Sequence, residues 1–170
     1  MTNWEIISAV IEIIGTTAVI VSLLYVAKQV KNGNAWNRTS TFREIMVGLI
    51  NQNNVMFGPE NVELVATGFK SYSMLNPLEK MRLDHLMSNF FQYPEDSWNS
   101  SKAGLLSEET MDNWAWYLKT RMFPYPGVRE WWTHYKSGYA PGFQDWVGTI
   151  IEQTDPSEDP YGLIGSESAN

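Results

Sequence analysis

With 170 residues, 44% of them hydrophobic, the chain has room for one domain plus a short extra element and can bury a core without staples. The absence of cysteine excludes a disulfide framework, an iron–sulfur cluster, a thiolate zinc site and a cysteine nucleophile. Of the net charge of −7, residues 44–170 carry eight bases against seventeen acids, which excludes a general nucleic-acid binder, whereas residues 24–43 carry four bases and no acid.

Residues 6–27 read IISAVIEIIGTTAVIVSLLYVA, with Glu12 the single charged residue. At about 1.5 Å per residue this run is long enough to span the roughly 30 Å hydrocarbon core of a bilayer. Trp4 and Tyr25 sit near its ends, and Lys28, Lys31, Arg38 and Arg43 follow it, with no base before it. These features predict a transmembrane helix with flanks over residues 1–31, its N-terminus outside and the rest of the chain cytoplasmic. A cleaved signal peptide has its bases before the apolar stretch, not after it. A buried helix of a soluble protein is the competing reading, because Glu12 and several Thr and Ser dilute the run.

On a helix, Ser8, Glu12, Gly15, Thr16 and Ser22 fall on one stripe. Small and polar residues are how membrane helices approach one another, so the stripe is a candidate contact with another transmembrane helix, from a second copy or a different subunit. In the plainer alternative Glu12 lies about two turns from the aqueous boundary and snorkels or protonates without a partner. Both readings stay open.

Residues 35–153 read as a helical domain. Asn32-Gly33-Asn34 predicts a junction, after which Phe42, Ile45, Met46, Leu49 and Ile50 recur at helical spacing. Gly58-Pro59 precedes an amphipathic segment with Val62, Val65, Phe69 and Tyr72 on one side. Asn76-Pro77-Leu78-Glu79 combines an N-cap, Pro at the first helical position and Glu at N3. The helix that follows is expected to use Leu78, Met81, Leu86, Met87 and Phe90 as its core face and to kink or end at Pro94. Ser107 caps a helix running to about Phe123, Pro124-Tyr125-Pro126-Gly127 breaks the chain, and short helices follow over 128–136 and 143–153. Residues 154–170 form an acidic tail expected to be disordered. Strand signals are absent, so the expected fold class is all-α: one N-terminal transmembrane helix followed by a cytoplasmic helical bundle.

The run Leu24-Tyr25-Val26-Ala27-Lys28-Gln29-Val30, the segment Gly104-Leu105-Leu106-Ser107-Glu108-Glu109 with Trp114, and the late Pro126-Gly127-Val128-Arg129-Glu130-Trp131-Trp132 with Phe143 and Trp146 resemble a group of uncharacterised small membrane-anchored helical proteins of bacteria. The resemblance extends to about residue 152. It implies an architecture and a bacterial inner-membrane setting, and no catalytic residues. The chain departs from that group's uninterrupted helices at Gly33 and Pro94.

Chemical motifs are missing. There is no nucleophile elbow, phosphate-binding loop, dinucleotide fingerprint or zincin motif. The two histidines, His85 and His134, do not reach the three or four converging ligands of a metal site, since Glu130 and His134 supply at most two. No metal and no cofactor are expected. The strongest local anomaly is aromatic density between Trp98 and Trp146. Core packing explains most of it. Because Trp131 and Trp132 are adjacent, one ring is expected at the surface, where Arg129, Trp131, Trp132 and His134 would form an aromatic or ligand surface. The expected function is a non-enzymatic, single-pass accessory or scaffold subunit that binds protein partners. The alternatives are a membrane-tethered enzyme or small-ligand sensor using the aromatic pocket, and an oligomer whose Glu12 side chains line an ion path.

Overall fold

The computed structural model describes residues 3–165, with side chains described for residues 22–29, 33 and 39–165. Every regular element among them is helical: α1 (Asn3–Met56), α2 (Val62–Lys70), α3 (Pro77–Lys102), α4 (Glu108–Tyr117), α5 (Pro126–Tyr135) and α6 (Pro141–Glu152). Single turns of 3₁₀ helix lie at Tyr72–Met74 and Lys136–Gly138, and a π-helical turn at Leu118–Met122. The expected all-α class holds. The chain divides into two units, Met1–Ser40 and Thr41–Asn170.

Among the described residues no helix is long and apolar enough to cross a membrane. This corrects the expected transmembrane helix over 6–27, and with it the inner-membrane placement with the N-terminus outside. In α1, Lys28 and Gln29 follow directly on Leu23, Leu24, Tyr25, Val26 and Ala27. The helix does not stop there. It continues unbroken through Asn32-Gly33-Asn34, the expected junction, to Met56. The side chains of residues 6–21, Ser8, Glu12 and Thr16 of the stripe included, lie outside the described residues, as does the surrounding of Gly15.

In the second unit the core is built around α3. Leu83, Leu86, Met87, Phe90, Phe91, Pro94 and Ser97 are buried along one face, at three and four spacing. Pro94 does not end the helix, which runs on to Lys102. An internal proline costs about 3 kcal/mol through the lost N–H and the ring clash, and the buried residues on both sides of Pro94 offset it. Asn76 and Glu79 form the expected capping box: the Asn76 side chain accepts from the Leu78 and Glu79 amides, and the Glu79 carboxylate accepts from the Asn76 amide at 2.9 Å. Leu78 and Met81, expected in the core, are instead 73% and 66% exposed. The step from Leu78 to Leu83 turns about 140° round a helix, so the two N-terminal apolar residues lie on the face away from the core.

Polar bonds inside the core fix which helices meet. The Trp114 indole N–H of α4 donates to Ser97 Oγ of α3 at 2.9 Å, and Ser97 in turn donates to the Tyr93 carbonyl. Gln52 of α1 donates to the Leu86 carbonyl at 2.9 Å. The α2–α5 contact is closer still, because Gly127 lies against the α2 backbone: a Cβ on Gly127 would stand 1.8 Å from the Gly68 carbonyl oxygen, while one on Gly68 would point to α3 and stand 2.3 Å from Leu83 Cδ2.

Within the expected acidic tail, residues 154–165 are ordered onto the unit. Asp159 gathers the Leu163, Ile164 and Gly165 amides and the Tyr125 hydroxyl, while Tyr125 accepts from the Tyr161 amide and stacks on the Tyr161 ring at 6.0 Å. Partial burial opposes charge on Asp159, yet these donors hold its carboxyl below the usual carboxylate range. Residues 166–170 lie outside the description.

Glycine substitutions separate close approach from helix propensity. Gly127→Ala should destabilise the unit by at least about 2 kcal/mol in urea unfolding, since the obstacle is backbone. At Gly148 a Cβ meets open space, so Gly148→Ala should stabilise α6 by about 0.5–1 kcal/mol. Equal effects at the two positions would contradict this packing of α2 on α5.

Candidate functional site

Of the α5 residues expected at a surface, the structure buries both tryptophans. Trp131 is fully buried and Trp132 is 3% exposed. Adjacent residues on a helix diverge by about 100°, and α5 is covered over a wide enough arc to take both. Trp132 meets Tyr139 and Phe143, Trp131 meets Tyr135, and Phe91 of α3 stacks against each indole at 5.2 Å. Arg129 is half-buried, donating through Nε to the Phe123 carbonyl at 2.5 Å, while its Nη2 and the Trp131 Nε1 are buried without an acceptor. His134 alone of the four is exposed. Of the α1 stripe only Ser22 has a described side chain, and it is exposed.

The densest polar constellation in the second unit was not anticipated from sequence. Asp84 of α3 accepts from two tyrosines, Tyr135 of α5 at 2.5 Å and Tyr72 of the 3₁₀ turn at 2.8 Å, and the two phenol oxygens lie 3.1 Å apart. Lys80 stands over the Tyr72 ring at 5.2 Å. His134 packs beside that ring and bonds through Nδ1 to the Glu130 carbonyl; since a carbonyl only accepts, Nδ1 carries the proton. The Glu130 carboxylate accepts the Ser73 amide at 3.1 Å. Each group is thus engaged with another group of the protein. The cluster ties the 3₁₀ turn, α3 and α5 together, and it offers no nucleophile paired with a base.

Burial, followed by the bonds to Tyr135 and Asp84, pushes the Tyr72 phenol well above its ordinary value. The bond to Asp84 does the same, more weakly, for Tyr135. Burial raises Tyr125 and Tyr117 to about 12 each and raises Tyr139 further. Among the described residues no group of three or more His, Cys, Asp or Glu is placed to hold a metal ion.

Cavities add little chemistry of their own. A hollow of about 360 Å³ under Tyr161 and Leu163 is walled by Phe57, Val62, Val65, Ala66 and Phe69, with no charged group. Two others, of about 370 and 610 Å³, share Leu78 and Arg82 as a common ridge at the start of α3. The first is bordered by Glu60, Glu63 and Glu79, the second by Asn61, Met81 and His85. On this face the exposed apolar Leu78 and Met81 and the acids Glu60, Glu63 and Glu79 stand around neighbouring recesses.

Comparison of the chain with protein-family models, with curated proteins and with solved structures returns no match.

The raised tyrosines give the fold an alkaline limit. Their folded values lie above the unfolded value of about 10, so the unfolded chain releases protons there while the folded chain keeps them; stability is full below about pH 10 and falls as pH climbs through the folded values. In a spectrophotometric titration, Tyr72, Tyr117, Tyr125, Tyr135 and Tyr139 should ionise only with loss of the tertiary circular-dichroism signal. All eight tyrosines titrating together near pH 10 with the fold intact would contradict the cluster.

Proposed function

We propose that the chain is a non-enzymatic accessory or scaffold subunit that binds protein partners, and that α1 is the element that holds them. The observation that carries this reading is the exposure of four consecutive apolar residues: Leu23 at 64%, Leu24 at 66%, Tyr25 at 67% and Val26 at 52%. Consecutive helical residues step about 100° apart, so these four point round the whole circumference. A helix apolar on all sides is buried in its working state, and this turn is exposed among the described residues. The cover that satisfies it is an apolar surface of another protein.

The aromatic-pocket alternative has less behind it. Trp131 and Trp132, its principal residues, are consumed in core packing, and Arg129 is turned onto a backbone carbonyl. Glu130 and Asp84 are likewise taken up by bonds that join elements of the fold. The ion-path alternative rests on Glu12, whose side chain lies outside the described residues.

Site-specific photo-crosslinking in the native cell tests the reading. A crosslinker at Leu24 or Tyr25 should give discrete adducts, and one at Glu158 should not. Leu24→Glu with Val26→Glu should abolish co-purification of the adduct partner while leaving the helical circular dichroism of the chain unchanged. A chain that yields no adduct at either position and purifies alone as a monomer overturns the proposal.

A further inference from the structure

The face at the start of α3 carries a more specific partner, an inference that rests on α1 being a partner-binding helix. We infer that this face receives the basic segment of α1 from a second copy of the chain, giving head-to-tail self-association.

Three features of the face point to its occupant. Its apolar residues are out of place for a solvated helix: Met74, Leu78 and Met81 are each about two-thirds exposed or more, and Leu78 and Met81 lie on the side of α3 away from its core face. Unbranched Met adapts its shape to what it covers, which suits a docking surface. Its charge is acidic, with Glu60 and Glu63 exposed along the recess beside Leu78. Glu79 adds a third carboxylate but spends one oxygen on the Asn76 amide, and Arg82, the base of the recess, is tied to the Glu60 carbonyl oxygen at 3.0 Å. The third feature is room: the larger recess, about 610 Å³, is lined by Leu78, Met81 and Leu86 beside Arg82 and His85. The occupant therefore combines apolar side chains with positive charge.

The same chain supplies such a segment. Residues 24–43 hold Lys28, Lys31, Arg38 and Arg43 and no acid. They follow directly on the exposed Leu23, Leu24, Tyr25 and Val26, and Lys28 and Arg43 are themselves exposed. An apolar turn followed by bases is the complement of an apolar ridge bordered by acids. The two surfaces are different, so the contact is heterologous: each copy offers one of each, and association closes into a ring or grows as a chain. Opposite charge sets the register and speeds encounter, which makes the association salt-dependent.

Charge reversal of the full chain separates this arrangement from other modes of partner binding. In sedimentation velocity at tens of micromolar, the unmodified chain should run as dimers and larger species in low salt. Raising the salt from about 0.05 to about 0.5 M should weaken association at least about tenfold. Glu60→Lys with Glu63→Lys disables the receiving face, and Lys28→Glu with Lys31→Glu disables the inserted helix. Each variant alone should sediment as a monomer, and an equimolar mixture of the two should associate again, because each variant then meets surfaces of opposite charge on the other. Lys28, Glu60 and Glu63 are exposed, and far-UV circular dichroism checks that each variant is folded. A monomeric unmodified chain, or an oligomer indifferent to both reversals, overturns the inference. If Leu24 crosslinks to another protein while the unmodified chain stays monomeric, the scaffold reading stands and this one falls.

Discussion

The second unit depends on one ring. Phe91, fully buried on α3, stacks against Trp131 and Trp132 at the same 5.2 Å and also meets Phe90, Phe123 and Tyr139. Aromatic pairs add about 0.5–1.5 kcal/mol each beyond the area they bury, and Phe91 shares with Trp132, its partner on α5, the property of meeting five other rings. Through Phe91 the helix α5 becomes the centre of the unit. Its other side approaches α2 through Gly127, whose missing Cβ leaves room for the Gly68 carbonyl. Large rings on one side of α5 and a glycine on the other are two halves of one packing solution.

This solution explains why the aromatic density has no chemistry attached to it. Rings that stack on one another leave no cavity for a ligand between them, and several polar groups beside them are occupied: the Trp114 indole by Ser97, the Tyr72 and Tyr135 phenols by Asp84. Partner binding is left to the outside of the helices. There the apolar residues that the core does not use, those of α1 at Leu23, Leu24, Tyr25 and Val26 and those of α3 at Leu78 and Met81, are the exposed ones.

Much of this was legible in sequence, and the rest for identifiable reasons was not. Caps depend on two or three adjacent residues, so Asn76 with Glu79 and Ser107 marked true helix starts. Pro126 was read as part of a break, but it occupies the first turn of a helix, where the missing N–H costs nothing. Periodicity sees an apolar residue without seeing which layer lies opposite, so it placed Leu78 and Met81 inside with Leu86 and assigned one of two adjacent tryptophans to the surface. The run over 6–27 was read from its length, flanking aromatics and charge asymmetry; the helix containing it proved to be 54 residues long, continuing through bases and Gly33. The Tyr72–Asp84–Tyr135 cluster joins residues up to 63 positions apart, and no local pattern announces such a meeting.

The central claim is that the aromatic cluster is structural, with Phe91 at its hub, and the most direct test is urea unfolding of Phe91→Ala followed in both the near- and far-UV. Removing a fully buried ring that touches five others should cost about 3–5 kcal/mol, a large share of the 5–15 kcal/mol typical of a domain, with both signals lost in one coincident transition at lower urea. A loss below about 1 kcal/mol, with the near-UV signal of the tryptophans retained, would contradict the account.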